Sequence, residues 1–384
     1  MSFNVLHIAG WYRSKAEPMA VPFITEHFEA LNRFANGYLL HVEVQMRPGR
    51  FLSFQHERLS GNEESFVVQT SIKVFRIVEL ISLALLLYAI FKHGVKRYDI
   101  VNFHVGYPNL VYHGLLKKLI RKPFLIIEHW TAFHYEFNMP KGTRKLDRIR
   151  HIYRQQFPLV VVSRRLGLDI EGFAGCKQRL RVIPNVVDSS VFYFDPNVPV
   201  SEKSFFMVNY WRKIKNPFPV LEAFTRYVAT CPEAQLRVGG YGPLWNDMVR
   251  YVAENGLESN VKLLGRLTKN EIADELRGAT ALVHHADYET FSVVCAEAIS
   301  CGCPVIVNYL EAVAEFIDDS NGVFVKSGQS FLNALIEFDP SSFDRAEIAR
   351  TANARFSREE VGRQLFEYNS EILAAAKEGH KREI

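Results

Sequence analysis

The sequence of 384 residues has no apolar run long enough to cross a membrane. The longest run, Ile77 to Phe91, has 15 residues with one internal acid, whereas a spanning helix needs about 20. The first ten residues, MSFNVLHIAG, lack the basic region of a signal peptide and are typical of a first strand. These absences predict a cytoplasmic protein that is at most peripheral on the inner face of the membrane.

Cysteine is scarce, and its spacing excludes a zinc site of the usual kind. The five cysteines are Cys176, Cys231, Cys295, Cys301 and Cys303. An odd, scattered set is typical of a reducing compartment. His284 and His285 are adjacent but have no third ligand at a suitable spacing, and no Asp-x-Asp follows a predicted strand. We therefore expect no metal and no cofactor.

The net charge of +4 conceals an asymmetry between the two halves of the chain. Residues 1–200 contain 26 Lys and Arg against 16 Asp and Glu, a balance of +10, and subtraction from the totals leaves 20 against 26, or −6, for the rest. A basic N-terminal half indicates an acidic partner or an anionic membrane surface. Nucleic acid is not expected, because the sequence has no nucleic-acid-binding motif.

The apolar run Ile77 to Phe91 has two interpretations. It is either a helix packed in the core of the N-terminal domain or a segment that partly inserts into a membrane surface. Basic clusters could support insertion, since each Lys or Arg near an anionic surface contributes about 1 kcal/mol. They comprise Lys117, Lys118, Arg121, Lys122, Lys141, Arg144, Lys145, Arg148, Arg150 and Arg154.

Short apolar stretches alternate with helical patterns along the whole chain. They are rich in Val, Ile and Leu with little polar alternation, which favours an α/β fold with doubly wound parallel sheets covered on both faces. The predicted strands are Phe3–Ala9, Leu39–Gln45, Ile100–Phe103, Phe124–Ile127, Leu159–Val162, Phe205–Val208, Gln235–Val238, Asn260–Leu264, Ala281–His284 and Pro304–Val307. The best domain boundary is Ile183–Asp188, which precedes the polar, Pro-containing segment Asp195–Lys203.

One stretch, ETFSVVCAEAISCGCPVIV from Glu289 to Val307, carries the strongest functional pattern. It predicts a loop, a helix over Phe291–Cys301 with Thr290 as its N-cap, and a following strand. A helix N-terminus binds phosphate, and carboxylates beside it suit hydroxyl donors. Glu289 in the loop and Glu297 two turns inside therefore point to a nucleotide sugar. The alternative is a surface glutamate followed by a solvated helical one.

The letters around these glutamates resemble the signature of the retaining GT-B glycosyltransferases of family four, the group 1 type. That signature is Glu-Gly-Phe-Gly or Glu-Thr-Phe-Gly, then Leu-Glu-Ala-Met-Ala-Cys-Gly-Thr-Pro-Val-Ile. The matching residues are Glu289, Thr290, Phe291, Glu297, Ala298, Cys301, Gly302, Pro304, Val305 and Ile306. Ser292 replaces the usual Gly, and Cys303 replaces Thr.

The resemblance implies two Rossmann-like domains facing a cleft. The implied domains are residues 1–187 on the acceptor side and 188–361 on the nucleotide-sugar side, with a last helix of about 362–384 packing back on the first. The substrates would be a nucleotide sugar and a saccharide or lipid-linked acceptor. The reaction would be a metal-independent transfer that retains the anomeric configuration.

The resemblance also implies roles for individual residues. Arg212 and Lys215 would hold the donor diphosphate together with the helix start, while Glu289 grips sugar hydroxyls, Glu297 grips the ribose, and His129 lies near the transferred sugar. The predicted catalytic residues are His129, Arg212, Lys215 and Glu289. The predicted donor-binding residues are Gly240, Arg266, Thr290, Phe291, Ser292, Val293 and Glu297.

Two departures from the family pattern bear on whether the chain is catalytic. Val21 stands where the family has a Gly in its first loop, and Glu311-Ala312 replace a later Gly-Gly. One alternative is therefore a catalytically silent GT-B subunit that binds a partner enzyme. Another is a nucleotide-sugar epimerase of the same architecture.

Overall fold

The strands and helices of the chain are seen in a computed structural model that describes residues 2–13, 22–49, 51–325 and 330–382. The chain divides into two units. The first unit comprises Met1–Val186 and Arg358–Ile384, and the second unit comprises Val187–Ser357. Val21 lies outside the described residues. In the part of the chain described here, no helix has both the length and the apolarity needed to cross a bilayer.

The first unit is built on an eight-stranded sheet of order β3-β4-β2-β1-β5-β6-β7-β8, in which only the edge strand β3 is antiparallel to its neighbour. Its strands are β1 Asn4–Ala9, β2 Asn36–Met46, β3 Leu52–Ser60, β4 Glu63–Thr70, β5 Ile100–His104, β6 Phe124–Glu128, β7 Leu159–Val161 and β8 Leu180–Val182. Its helices are α1 Pro22–Leu31, α2 Phe75–His93, α3 His113–Ile120, α4 Arg144–Tyr153, α5 Arg164–Ala174 and, from the end of the chain, α12 Arg358–Arg382.

The second unit is built on a six-stranded, all-parallel sheet of order β11-β10-β9-β12-β13-β14. Its strands are β9 Ser204–Tyr210, β10 Gln235–Tyr241, β11 Val261–Gly265, β12 Ala281–His284, β13 Val305–Asn308 and β14 Gly322–Val325. Its helices are α6 Phe218–Val228, α7 Trp245–Glu254, α8 Lys269–Gly278, α9 Val293–Ser300, α10 Phe331–Glu337 and α11 Arg345–Phe356.

Apolar burial on both faces of each sheet explains why most of these segments are strands. In β1 and β5, for example, Val5 and Ile100 are fully buried and lie in the same core as Val361 and Leu365 of α12. In the second unit, Phe205, Val238 and Val283 belong to one core cluster that the surrounding helices complete. The predicted α/β class with two parallel-sheet domains is therefore confirmed.

The sequence patterns missed the hairpin formed by β3 and β4. β3 begins with apolar and polar residues in alternation, as in Leu52, Ser53 and Phe54, and much of it is exposed at the edge of the sheet. The search for continuous apolar runs passes over such a strand, because only one of its faces is covered. The turn at Gly61 and Asn62, between two strand-like runs, was an available signal.

Candidate active site

The loops that follow β9 and β12 meet at the carboxyl edge of the second sheet. The strands β9 and β12 are neighbours, but the chain leaves β9 towards β10 on the opposite side. In open α/β sheets such a change of direction leaves a crevice outside the carboxyl ends of the strands, where ligands bind. A cavity of about 360 Å³ lies at this position. It is lined by Val208, Asn209, Tyr210, Lys215, Gly240, Tyr241, Arg266, Leu267, Ile272, Glu289, Ser292, Val293, Val294 and Glu297.

Trp211 anchors the loop that carries the basic residues. Its side chain is almost fully buried, and its Nε1 donates a hydrogen bond of 2.9 Å to the carbonyl oxygen of Gly239. Its backbone N–H donates to the carbonyl oxygen of Tyr241 at 2.7 Å. The loop then forms a short 3₁₀ turn over Lys213–Lys215, which ends beneath the cavity. Lys215 is thus placed by a rigid connection to the neighbouring strand.

Gly240 permits this close approach between the two loops. Its φ is +108°, and a Cβ at this position would lie 1.9 Å from the carbonyl oxygen of Asn209 and 2.9 Å from Nε1 of Trp211. Gly242 has a φ of +139° and a similar conflict with the Trp211 backbone. Any side chain would therefore push the two loops apart. Glycine is therefore required at position 240, a predicted donor-binding residue, by the packing of the two loops alone.

Glu289 is held by two neighbouring side chains. Its carboxylate is buried, forms an ion pair with the ammonium of Lys215, and lies 3.0 Å from Nε2 of His284. Burial alone would raise the pKa of Glu289, but Lys215 and His284 outweigh it and lower the pKa to about 2. The carboxylate is therefore ionised at neutral pH and can accept hydrogen bonds from hydroxyl groups.

The buried His284 holds the carboxylate of Glu289 in place through a hydrogen bond. Burial lowers the pKa of His284, although Glu289 opposes this effect, so the imidazole is neutral at pH 7. Because an ionised carboxylate only accepts hydrogen bonds, Nε2 of His284 carries the proton of the neutral ring and donates a hydrogen bond to Glu289. Nδ1 is then free of a proton and faces the amide of Asn209 at 3.5 Å. One histidine thus links the loop after β12 to the end of β9.

The helix start differs from the predicted one. We expected α9 to begin at Phe291 with Thr290 as N-cap, whereas it begins at Val293 with Ser292 in the N-cap position. The prediction was wrong because Ser292 has a φ of +77°, so the chain turns sharply before it enters the helix. The family's Gly at this position would adopt that conformation without strain. The hydroxyl of Ser292 contacts the Cys295 sulfur at 3.2 Å and caps no backbone N–H.

The aromatic end of the cavity was not predicted. Tyr210 and Tyr241 are the last residues of β9 and β10, directly opposite each other, with ring centroids 5.1 Å apart. The guanidinium of Arg266 lies 4.7 Å from the Tyr241 ring centroid. A planar guanidinium on an exposed ring offers a platform for another flat, aromatic group. The signal was available, since both tyrosines follow apolar strands at the edge where ligands bind.

The structure brings together seven of the eleven predicted site residues. They are Lys215, Gly240, Arg266, Glu289, Ser292, Val293 and Glu297. Val293 and Glu297 are four residues apart on α9 and therefore share one face of the helix. Glu297 thus lies in the cavity wall, one helical turn away from the helix start.

The other three predicted residues of the second unit lie outside the cavity lining given by the described residues. Arg212 is exposed at the start of the 3₁₀ turn, and Thr290 is half-buried in the loop. Phe291 is buried, with its ring 5.0 Å from that of Phe316 and 5.6 Å from that of Phe356. Its side chain serves the core, so only its backbone could meet a ligand. The predicted donor roles of these residues stay predictions.

His129 belongs to the first unit, where it follows β6. Its ring is buried, 4.6 Å from the Phe23 ring, 5.1 Å from that of His27 and 6.4 Å from that of His104. Burial holds the pKa of His129 well below its usual range, the nearby His27 adds to this effect, and a hydrogen bond with Asn185 opposes it. His129 is therefore neutral at pH 7.

Across the described ranges, no group of three or more His, Cys, Asp or Glu side chains is placed to hold a metal ion. His284 contacts Glu289, and His285 faces the carbonyl oxygen of Asn216 at 2.9 Å. The adjacent pair, considered above only as a metal site, thus serves two separate contacts. The sequence offered no signal for the contact between His284 and Glu289 beyond their closeness in the chain.

Two family models match the chain in adjoining segments. Residues 50–191 match the model described as "Glycosyltransferase Family 4", and residues 191–352 match the model described as "Glycosyl transferases group 1". Among curated relatives, N-acetyl-alpha-D-glucosaminyl L-malate synthase of Bacillus anthracis is 24% identical over 232 residues, a match covering 58% of this chain and 59% of that enzyme. D-inositol 3-phosphate glycosyltransferase of Corynebacterium jeikeium is 23% identical over 323 residues, covering 76% of each.

Solved structures resemble nearly the whole chain. Sucrose-phosphate synthase from Thermosynechococcus elongatus has a TM-score of 0.73 at 18% identity and covers 97% of this chain and 100% of that one. HepE of Anabaena, in complex with UDP and glucose, has a TM-score of 0.72 at 15% identity and covers 96% and 100%. At these identities the likeness establishes the fold.

Proposed function

The chain belongs to the group 1 glycosyltransferases of GT-B fold, and we propose that it transfers a sugar from a nucleotide-sugar donor to a saccharide or lipid-linked acceptor. The biological setting of this proposal is the synthesis of a surface polysaccharide or glycolipid. The reaction retains the anomeric configuration and needs no metal or cofactor.

The pair of Lys215 and Glu289 at the crevice is the observation that carries the proposal. A sugar diphosphate presents anionic oxygens and hydroxyl donors side by side, and this pair presents a cation and an ionised acceptor side by side. The ammonium of Lys215 interacts with the diphosphate as well as with Glu289, and Glu289 accepts hydrogen bonds from sugar hydroxyls. The N–H groups at the start of α9 face the same diphosphate.

The nucleoside occupies the rest of the cavity. Glu297 accepts hydrogen bonds from the ribose hydroxyls, since it lies in the wall on the same helical face as Val293. The base lies at the platform formed by Tyr241 and Arg266. Gly240 allows the nucleotide to approach the end of β10 closely.

The transfer proceeds on one face of the sugar. The bond from the anomeric carbon to the diphosphate oxygen breaks, and the bond to the acceptor oxygen forms on the same side. The departing phosphate oxygen takes the proton of the acceptor hydroxyl, so no protein base is required. The contribution of the protein is positioning and stabilisation of the charge that develops on the diphosphate. The role predicted for His129 stays a prediction.

The test begins with donor selection. Thermal-shift measurements with UDP-, GDP- and ADP-sugars identify the nucleotide, and UDP is the first choice because the similar HepE structure is in complex with UDP. Release of nucleoside diphosphate is then measured with and without added acceptors. Lys215→Met should abolish most of the release, and Lys213→Met, in the same 3₁₀ turn but exposed, serves as the matched control.

Three outcomes would contradict the proposal. Sugar interconversion without an acceptor would indicate an epimerase. Absence of binding by every nucleotide sugar would favour a silent subunit. Full turnover in Lys215→Met would show that the diphosphate binds elsewhere.

A further inference from the structure

Helix α2 is apolar on its inner face and also on its outer face. The inner face packs against β2 and β4, and its buried apolar side chains are Leu85, Leu86, Ala89 and Ile90. A helix on the surface of a sheet normally turns polar residues to the solvent. Here the outward positions Ile77, Leu80, Tyr88 and Phe91 are between 42% and 63% exposed. The run from Ile77 to Phe91 is therefore both a packed helix and an apolar surface.

The apolar surface continues from α2 onto the edge strand β3. The rings of Phe54 and Tyr88 are 5.8 Å apart in an edge-on contact. Leu52 lies two residues before Phe54 on the same strand, and so on the same face of the sheet, and is also exposed. We call these six side chains the outer apolar face: Leu52, Phe54, Ile77, Leu80, Tyr88 and Phe91. Six exposed apolar side chains on one surface mark an interaction site.

Positive charge lies at both ends of α2, next to the outer apolar face. The segment from Ser71 to Arg97 contains five exposed Lys or Arg residues and a single acid, Glu79. Glu79 is buried under the helix and paired with Arg148 of α4 at 2.8 Å, so it offers no negative charge to a partner. The ammonium of Lys92 lies 5.9 Å from the Tyr88 ring centroid, at the edge of the apolar face.

We propose that the outer apolar face docks the first unit on an anionic lipid bilayer. An apolar strip flanked by Lys and Arg is the pattern of helices that lie in the membrane interface, where the strip enters the acyl boundary and the cations meet acidic headgroups. A second copy of this face fits poorly, because two equally cationic surfaces would repel each other. This docking goes beyond the proposed reaction and depends on no donor or acceptor.

The structure offers a matched pair of variants to test this surface. Leu80 on α2 is 53% exposed, and Leu168 on α5, outside the outer apolar face, is 54% exposed. Leu80→Glu and Leu168→Glu make the same chemical change at equal exposure in the same unit. Glutamate is a good helix former, so neither should disturb its helix.

Binding is measured by co-sedimentation of the full chain with two kinds of vesicle, phosphatidylcholine alone and phosphatidylcholine mixed with phosphatidylglycerol. We expect binding to the anionic vesicles that weakens with salt. Leu80→Glu should weaken it roughly tenfold or more, since it removes an inserted leucine and adds a repelled charge. Leu168→Glu should bind like the wild type. Arg76→Gln with Lys96→Gln should lose roughly fivefold per charge.

Several results would overturn the proposal. They are absence of binding to anionic vesicles, equal binding to neutral ones, and equal loss in the two leucine variants. A dimer in light scattering that Leu80→Glu dissociates would assign the face to a second copy instead. Nucleotide binding by the same Leu80→Glu sample is measured by calorimetry and should match the wild type. Failure of vesicle binding is thereby distinguished from failure of the proposed transferase.

Discussion

Replacing Lys215 by Met should destabilise the second unit by about 3 kcal/mol at neutral pH. The magnitude follows from Glu289, whose pKa is about 2 in the folded protein against an ordinary 4.5. This difference of about 2.5 pH units, at about 1.36 kcal/mol each, corresponds to about 3 kcal/mol by which Lys215 and His284 together outweigh the cost of burial. We assign most of this net stabilisation to Lys215, since His284 is neutral and its hydrogen bond only offsets part of the cost of burial. Met fills similar space without the charge, so the buried carboxylate loses its main partner.

The sign of the pH dependence follows from the same pKa. Since the pKa of Glu289 is lower in the folded than in the unfolded chain, its contribution is fully present above about pH 4.5 and is lost as the pH falls towards 2. The difference in stability between wild type and Lys215→Met should therefore shrink below pH 4.5. Adding Glu289→Gln to Lys215→Met should recover most of the lost stability, because no buried charge is then left unpaired.

The assay is urea unfolding followed by tryptophan fluorescence. The four tryptophans are Trp11, Trp130, Trp211 and Trp245. Replacing the first two by Phe leaves probes in the second unit alone. Lys213→Met is the matched control, since Lys213 is exposed in the same turn and should change stability by less than about 0.5 kcal/mol. Equal stability of Lys215→Met and wild type at pH 7 would refute the reasoning.

Four further predictions concern the same cavity. Lys215→Ala should lower kcat more than it raises KM for the donor, because the diphosphate gains charge in the transition state; steady-state kinetics with an unchanged kcat would contradict this. Glu297→Ala should weaken nucleotide binding by roughly 10- to 100-fold in calorimetry, and an unchanged affinity would remove the ribose role. Ser292→Gly should raise the free energy of unfolding by about 1 kcal/mol in urea, since φ is +77°, and a loss of stability would mean that the hydroxyl contact outweighs the strain. Gly240→Ala should lower the free energy of unfolding by more than about 2 kcal/mol, because its Cβ would lie 1.9 Å from the carbonyl oxygen of Asn209. A urea midpoint equal to that of the wild type would contradict this.

The apolar runs predicted most of the strands, because a strand that is buried on both faces has a continuous run of apolar residues. Ala281–His284 was predicted with its observed bounds, and Gln235–Val238 was short by three residues at its end. Four strands, β3, β4, β8 and β14, have no counterpart among the predicted apolar runs. Their patterns are short or partly polar, and β3 becomes a strand only by pairing with β4 across the hairpin. Such a strand depends on its partner more than on its own composition.

The helix start shows where local reasoning ends. Thr290 has the chemistry of an N-cap, and Ser292 has the same chemistry two residues later. The choice between them depends on the backbone turn at Ser292, which follows directly on Phe291 and its core contacts with Phe316 and Phe356. Local residue propensities carry no information about contacts between residues so far apart in the sequence.

Local sequence patterns were enough to show which side chains follow predicted strands and which family the chain resembles. Lys215 and Glu289 were predicted to lie on loops because each follows an apolar run that is recognisable as a strand from the sequence. The fold as a whole was needed to show that these two residues, 74 positions apart, form a buried ion pair to which His284 adds a hydrogen bond. Their contact depends on the placement of β12 beside β9, and strand order arises from packing over the whole sheet, which no local window of sequence records.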